Sequence, residues 1–496
     1  MTVAEPAAAP ASGRPRRGRD LLGWFRSPLK TFLILGIAAG VYLVCVVPHF
    51  AGIDEPAHFY RSYQISTGQF LPEKEGSKGF GGACIPRDVI RTQRADSSVY
   101  AEHALKGVVD AETGAPIVYN PGPIQACPTD PSEGFVTFST FPSFVPYLPQ
   151  AASIFVTRNL GFGADVMLIV ARFVVLAMYV ALVALAIARS PRSKWALAAV
   201  GLVPVAVYQS ASSISHDAFT TAIALVVVSS ALRALDPPEG TSTRALVIEA
   251  VLLSALLGSV KPMYVVIAAL YLLPLLAAKR ADASEGVVGV RRRTDRWPLV
   301  FAPVVGVVAS VLWNASAGDV WKTDAGYFFI KVDDVTQKHE LLHRPWDFGA
   351  DLVRTGYHQL WHWVHQPFTV GPSVTAGPAL LAVLCVAIYA VASLQRARAE
   401  APAPLGWLQR GLILLAFLVG VVLIGAANYI YWTPPGISTV EGIQPRYFMP
   451  LLVLLPVAIG SLPWKWADTA RARVPIPVVL APTLVVFCAI VTFRMY

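Results

Sequence analysis

Two adjacent carboxylates, Asp54 and Glu55, stand a few residues beyond the first long apolar segment of a chain built largely of such segments. At the water-facing mouth of a membrane helix, such a pair points to chemistry performed at the bilayer surface. In Ile53-Asp-Glu-Pro-Ala-His-Phe-Tyr-Arg61 a helix starting at Pro56 leaves Asp54 and Glu55 at its N-terminal end and His58 and Arg61 on its first turns. The plain alternative is a helix cap within a solvated charge cluster. Further ionisable residues at the same expected membrane face favour function: Asp217 in Ser213-Ile-Ser-His-Asp217, Lys261 in Lys261-Pro-Met-Tyr264, and Arg446 in Gly442-Ile-Gln-Pro-Arg-Tyr-Phe448. Each sits beside an apolar span, where a charge is costly unless it is paired or used.

The elements that must position these residues follow from composition. Hydrophobic residues make up 55% of the chain and charged residues 14%, and the mean hydropathy is +0.55. A soluble globular protein of this length is excluded, and the fold class is all-α, a polytopic membrane protein. Taking roughly 17 apolar residues as the least that crosses a bilayer, the candidate spans are 31–49, 164–188, 195–212, 216–234, 244–260, 262–278, 297–313, 374–394, 410–427, 447–463 and 475–493. That is about eleven helices. Residues 1–30 form a basic tail whose Ala/Pro-rich first part has a disordered composition, and Thr31 to His49 reads as a retained signal anchor.

The net charge of +9 raises nucleic acid as a partner, but Lys and Arg fall in short clusters between apolar runs, as in cytoplasmic loops. With the N-terminus inside, every expected inside loop is basic, the strongest being the one with Arg291, Arg292 and Arg293. Nucleic acid is therefore excluded as the expected partner, and membrane lipid takes its place. The expected location is a bacterial cell membrane.

Three long segments then lie outside: 50–163, 314–373 and 428–446. In the first, prolines in Tyr119-Asn-Pro-Gly-Pro123 and Phe141-Pro-Ser-Phe-Val-Pro-Tyr-Leu-Pro149 favour short interfacial helices. Cys84 and Cys127 share that loop, where an oxidising compartment permits a disulfide, whereas Cys45, Cys385 and Cys488 lie within spans as packing residues. In the second long segment His358, His362 and His365 fall on one helix face, a spacing open to zinc or copper. Trp361 and Trp363 interleave with them, so an interfacial helix with acceptor or lipid-headgroup contact is the favoured reading. Ser213, Ser215 and His216 have hydrolase residue types without a Gly-x-Ser-x-Gly elbow, and no nucleophile is assigned.

Taken together, Asp54-Glu-Pro-Ala-His58 with Arg61, Ser-His-Asp217, the Pro-rich stretch before the second helix and the late Gln-Pro-Arg446-Tyr-Phe resemble the GT-C superfamily of membrane glycosyltransferases. More narrowly, the combination is similar to a bacterial family of membrane proteins placed in that superfamily without assigned substrates. The resemblance covers roughly residues 31–463, and departs from the expected Gly between Gln and Arg, where this chain has Pro445.

It implies an inverting transfer of a sugar from a polyprenyl-phosphate donor to a glycan, lipid or protein acceptor. Asp54 would be the general base, with Glu55 or Asp217 positioning the acceptor or holding Mg²⁺ or Mn²⁺. Lys261, Arg446 and Arg61 would counter the leaving phosphate, and His58, Tyr447, His358 and His362 would touch acceptor or headgroup. The rival classes are a transporter or lipid flippase, which would place its charges near the bilayer midplane, and a catalytically inert envelope-assembly scaffold.

Overall fold

A computed structural model of the chain describes residues 25, 27–52, 54–71, 73–75, 80–105, 123–127, 130, 132–138, 143–276, 296–317, 332–365, 404–459 and 477–495. Among them, six helices are long and apolar enough to cross a membrane: α1 (Pro28–Val46), α5 (Ala164–Arg189), α8 (His216–Leu235), α9 (Thr243–Val260), the span Trp297–Ser316 that contains most of α10 (Phe301–Ala317), and α13 (Trp407–Trp432). The chain is a polytopic membrane protein. The expected span 195–212 is a pair, α6 (Lys194–Gly201) and α7 (Pro204–Ser212), bent by 55°. Pro204 explains the break, because it drives Val203 out of the helical region.

About eleven crossings were expected, and the described residues do not supply them. The segment expected at 262–278 is a 3₁₀ helix, Pro262–Leu276. Its fifteen residues, at about 2.0 Å each, reach about 30 Å, whereas an α-helix of that length would fall short of the hydrocarbon core. The segment expected at 447–463 is broken into a 3₁₀ turn (Pro445–Phe448), α14 (Met449–Leu452) and α15 (Leu454–Ile459). Residues 477–495 form α16 (Pro477–Met495), with Pro482 inside it. The span expected at 374–394 and most of the basic tail lie outside the described residues.

The bundle is organised around α8, which is buried on nearly every side against α5, α9, the 3₁₀ segment and α14. α9 and α10 cross closely because both present glycine: a Cβ on Gly258 would fall 2.0 Å from the Gly306 carbonyl oxygen. Segment 50–163 is not only a set of interfacial helices. It contains α2 (Glu55–Ser66), α3 (Arg87–Leu105), α4 (Leu148–Asn159) and a three-stranded antiparallel sheet, β1 (Glu73–Glu75), β2 (Phe80–Pro86) and β3 (Glu133–Thr137), in the order β1-β2-β3. α2 is almost wholly buried against α4 and β2. Cys84 on β2 is disulfide-bonded to Cys127, with Cα atoms 5.6 Å apart. The bond fastens the strand before β3 at the point where Ala126 bridges Gly134.

A second layer, α11 (Asp334–His343) and α12 (Pro345–His365), packs on α13 and on the loop that follows it. Gln337 donates to the Thr433 carbonyl at 2.7 Å, and Thr355 Oγ1 accepts from Val440 N at 2.7 Å. These bonds anchor the loop that carries Arg446.

Candidate functional site

Alternation of the spans brings five element ends together. α1 arrives at its C-terminus, α5 leaves from its N-terminus, α7 arrives, α8 leaves and α9 arrives. Gly52 lies flat on the end of α7, where any Cβ would sit 1.8 Å from the Ser212 carbonyl oxygen. The turn that follows holds Asp54 in the left-handed region at φ +54°, which an Asp tolerates better than most residues. Asp54 makes no side-chain bond to the helix it precedes, so the cap reading does not describe it. Its carboxylate instead accepts from Arg446 Nη2 at 2.5 Å, across 392 residues of sequence.

Arg446 is delivered by the 3₁₀ turn Pro445–Phe448. Proline suits the first position of such a turn, so Pro445 is accommodated and the guanidinium still reaches the site. Behind Arg446, Asp217 stands on the first turn of α8 with its backbone N–H bonded to Ser215 Oγ at 3.2 Å. Asp217 Oδ1 accepts from Lys261 Nζ at 2.9 Å, and Oδ2 lies 3.7 Å from Arg446 Nε and 3.5 Å from Gln209 Nε2. The Tyr447 ring lies 5.1 Å from Lys261 Nζ and 5.3 Å from the Arg446 guanidinium, and Tyr264 donates to the Tyr447 carbonyl at 2.8 Å. The side chains of Arg446, Lys261 and Asp217 are at most 10% exposed, whereas that of Asp54 is 56% exposed. The cluster has one open member and three closed ones. Burial pushes the Asp54 carboxyl up, but the Arg446 guanidinium, aided by His58, outweighs this and holds it below the usual carboxylate range.

The structure thus brings Asp54, Asp217, Lys261, Arg446 and Tyr447 together, places His58 beside them, and turns Glu55, Arg61 and His358 elsewhere. Glu55 faces away, fully buried, paired with Arg172 at 2.6 Å and bonded to Gly52 N. Arg172 also donates to the Val47 and Pro48 carbonyls, so this pair ties α5 to the end of α1. Arg61 is fully buried in α2, where it donates to Gln64 and to the Phe70 carbonyl, and burial lowers its guanidinium to about 10. It holds the loop to β1 and does not reach the cluster. His358 stands exposed on α12 against Tyr357, while the side chains of His362 and His365 lie outside the described residues.

Of the three carboxylates considered for a divalent ion, Glu55 faces Arg172 while Asp54 and Asp217 share Arg446, and among the described residues they do not gather as ligands around one point. Among the described residues the grouping with metal-ligand spacing is Cys84, Cys127 and Glu133, and its sulfurs are joined to each other.

Sequence reasoning missed Arg172 and Tyr147, and weighed His216 only as part of a hydrolase. The signal for Arg172 was available, since an arginine in the apolar run 164–188 requires a buried partner. Tyr147 connects two histidines: its hydroxyl lies 2.9 Å from His58 Nδ1 and 3.0 Å from His216 Nδ1. Nothing in the spacing announces that contact. Burial lowers His58 to about 4 and pushes the Tyr147 hydroxyl up.

Residues 37–455 match the family described as "Predicted membrane protein (DUF2142)". The chain belongs to this family. The match runs from within α1 to within α15, so the whole cluster falls inside it. No curated protein and no solved structure matches the chain.

Proposed function

We propose that this DUF2142 protein is a membrane glycosyltransferase of the GT-C type, moving a sugar from a polyprenyl-phosphate donor to a cell-envelope acceptor at the outer face of the membrane. The observation that carries the reading is the Asp54–Arg446–Asp217–Lys261 cluster: a half-open carboxylate beside two buried cations, all at one end of an apolar bundle. α8 is about 30 Å long, and its far end holds Arg192 paired with Asp236, and Arg189 and Arg233 paired with Glu249. A cluster at one end, with basic residues at the other, suits surface chemistry better than a midplane transport site. The Cys84–Cys127 disulfide and the basic far end both favour placing the cluster on the oxidising, outer side.

In this reading the donor's lipid tail lies along the apolar helices and its phosphate approaches Lys261 and Arg446. Phosphate competes with Asp54 for the Arg446 guanidinium and releases the carboxylate from the ion pair that suppresses its basicity. Asp54 then removes the proton of an acceptor hydroxyl as its oxygen attacks the anomeric carbon from the face opposite the phosphate. The bond to phosphate breaks with its electron pair, and the two cations hold the departing charge, which inverts the anomeric centre. Asp217 keeps both cations in place, and Tyr447 lies alongside them. The test is incubation of purified protein with labelled polyprenyl-phosphate sugars and an acceptor panel. Release of polyprenyl phosphate that depends on Asp54 supports the reading, and absence of release from every donor overturns it.

A further inference from the structure

Beside the cluster lies a run of three buried polar side chains that the transfer step does not use. His58 Nδ1, Tyr147 Oη and His216 Nδ1 are joined at 2.9 and 3.0 Å, and His216 Nε2 lies 3.2 Å from Asp217 Oδ1. The residues come from three elements: His58 from α2, Tyr147 from the 3₁₀ turn Val145–Tyr147, and His216 from the start of α8. Tyr147 is 1% exposed, His216 6% and His58 7%.

Proton counting gives this run a direction. Asp217 Oδ1 also accepts from Lys261, so it is an ionised acceptor. A bare nitrogen lone pair 3.2 Å from it would be repelled, which places the ring proton of neutral His216 on Nε2 even though that contact is poorly aligned. Nδ1 of His216 must then accept, so the single hydroxyl proton of Tyr147 points to it. The Tyr147 oxygen in turn accepts from His58 Nδ1–H. His58 is left with an unprotonated Nε2, one helical turn after Asp54, whose carbonyl accepts from His58 N at 3.1 Å.

We infer that His58, Tyr147 and His216 form a proton relay that takes the acceptor's proton from Asp54 and stores it beside Asp217; this rests on the transferase reading. Asp54 needs such an outlet while the bound substrates cover its open side, since it must be ionised again before its ion pair with Arg446 can re-form. A proton arriving at His58 Nε2 sends the Nδ1 proton to Tyr147, and the Tyr147 proton moves to His216 Nδ1. One proton enters and one imidazolium results, at His216, with the Asp217 carboxylate as its counter-ion. Burial and the two nearby cations oppose this charge, and donor phosphate bound to Lys261 and Arg446 screens the cations. The reverse hops return the proton through the half-open Asp54 to water once the products leave. Among the described residues the charged groups facing the relay are Asp54, Arg61, Asp217, Lys261 and Arg446. The neutral state of His58 at physiological pH agrees with its burial, which lowers it to about 4.

Tyr147→Phe tests this by deleting the bridging hydroxyl and keeping the ring. Polyprenyl-phosphate release should fall about tenfold or more with the donor KM unchanged, and added imidazole should restore part of the lost turnover while leaving the wild-type rate unaltered. A purely structural hydroxyl would not respond to a soluble proton carrier. Where Tyr147→Phe yields no folded protein, His216→Gln is read in the same way. Wild-type turnover in the variant, or a loss that imidazole does not relieve, overturns the relay and leaves the transferase reading standing. A wild-type protein that releases no polyprenyl phosphate overturns both.

Discussion

Asp54 and Glu55 are neighbours in sequence and opposites in structure. Glu55 and Arg172 are both fully buried, Glu55 also accepts from Gly52 N and Arg172 also serves two backbone carbonyls, and the region is closed. Asp54 and Arg446 form an equally short pair, but one partner is half open and, among the described residues, Arg446 Nε has no hydrogen-bond partner. A saturated buried pair has nothing left to offer a ligand. A pair open on one side, with a second cation and a second carboxylate behind it, can exchange its partner for a phosphate. The same residue types thus make a rivet in one place and a candidate reaction centre one residue away.

The comparison breaks most visibly if the rivet is cut. Arg172→Ala leaves Glu55 buried without a cation and should cost about 3–5 kcal/mol, seen as a lower melting temperature in detergent and a poor folded yield. A variant as stable as wild type would mean that Glu55 is hydrated and the two regions are alike. Asp54→Asn should do the reverse, leaving melting nearly unchanged while lowering polyprenyl-phosphate release by about 10²-fold or more. Full activity would return Asp54 to a structural role.

Smaller effects sharpen the contrast. Lys261→Met and Arg446→Met should each weaken donor binding as well as turnover, by about 1.5–3 kcal/mol for each lost charged hydrogen bond, measured as KM and kcat against donor concentration. A change in kcat alone would show that the cation meets the phosphate only in the transition state. The most gradual effect is on pH. The His58 value is lowered in the folded state from about 6.5 to about 4, so between those values the unfolded chain binds the extra proton. Stability should therefore be fully present above about pH 6.5 and decline as pH falls toward 4, by no more than about 1.4 kcal/mol per pH unit from this group. A melting temperature flat across that window would remove His58 from the buried network.

The membrane class and most of the spans were legible because apolar runs are a local property. Runs 164–188 and 216–234 coincide almost residue for residue with α5 and α8. The bend in 195–212 and the 3₁₀ geometry of 262–276 were not legible, since hydropathy reports composition and not backbone path. The disulfide was read correctly from compartment and elimination, whereas the small sheet it fastens was overlooked in a segment taken to be interfacial helices.

For the site, the sequence by itself determined which residues were expensive to leave unpaired: Asp54, Glu55, Asp217, Lys261 and Arg446 each stand near an apolar run, and each has a partner in the structure. Which partner each one takes was decided by tertiary structure alone. The Asp54–Arg446 pair closes 392 residues of chain, Glu55–Arg172 closes 117, and His58–Tyr147–His216 joins three elements. The length of an apolar run fixes where a helix ends in the membrane, but in helices apolar on every side it does not fix the rotation of one helix against another. That rotation turns Glu55 inward to Arg172 and leaves Asp54 facing the open side.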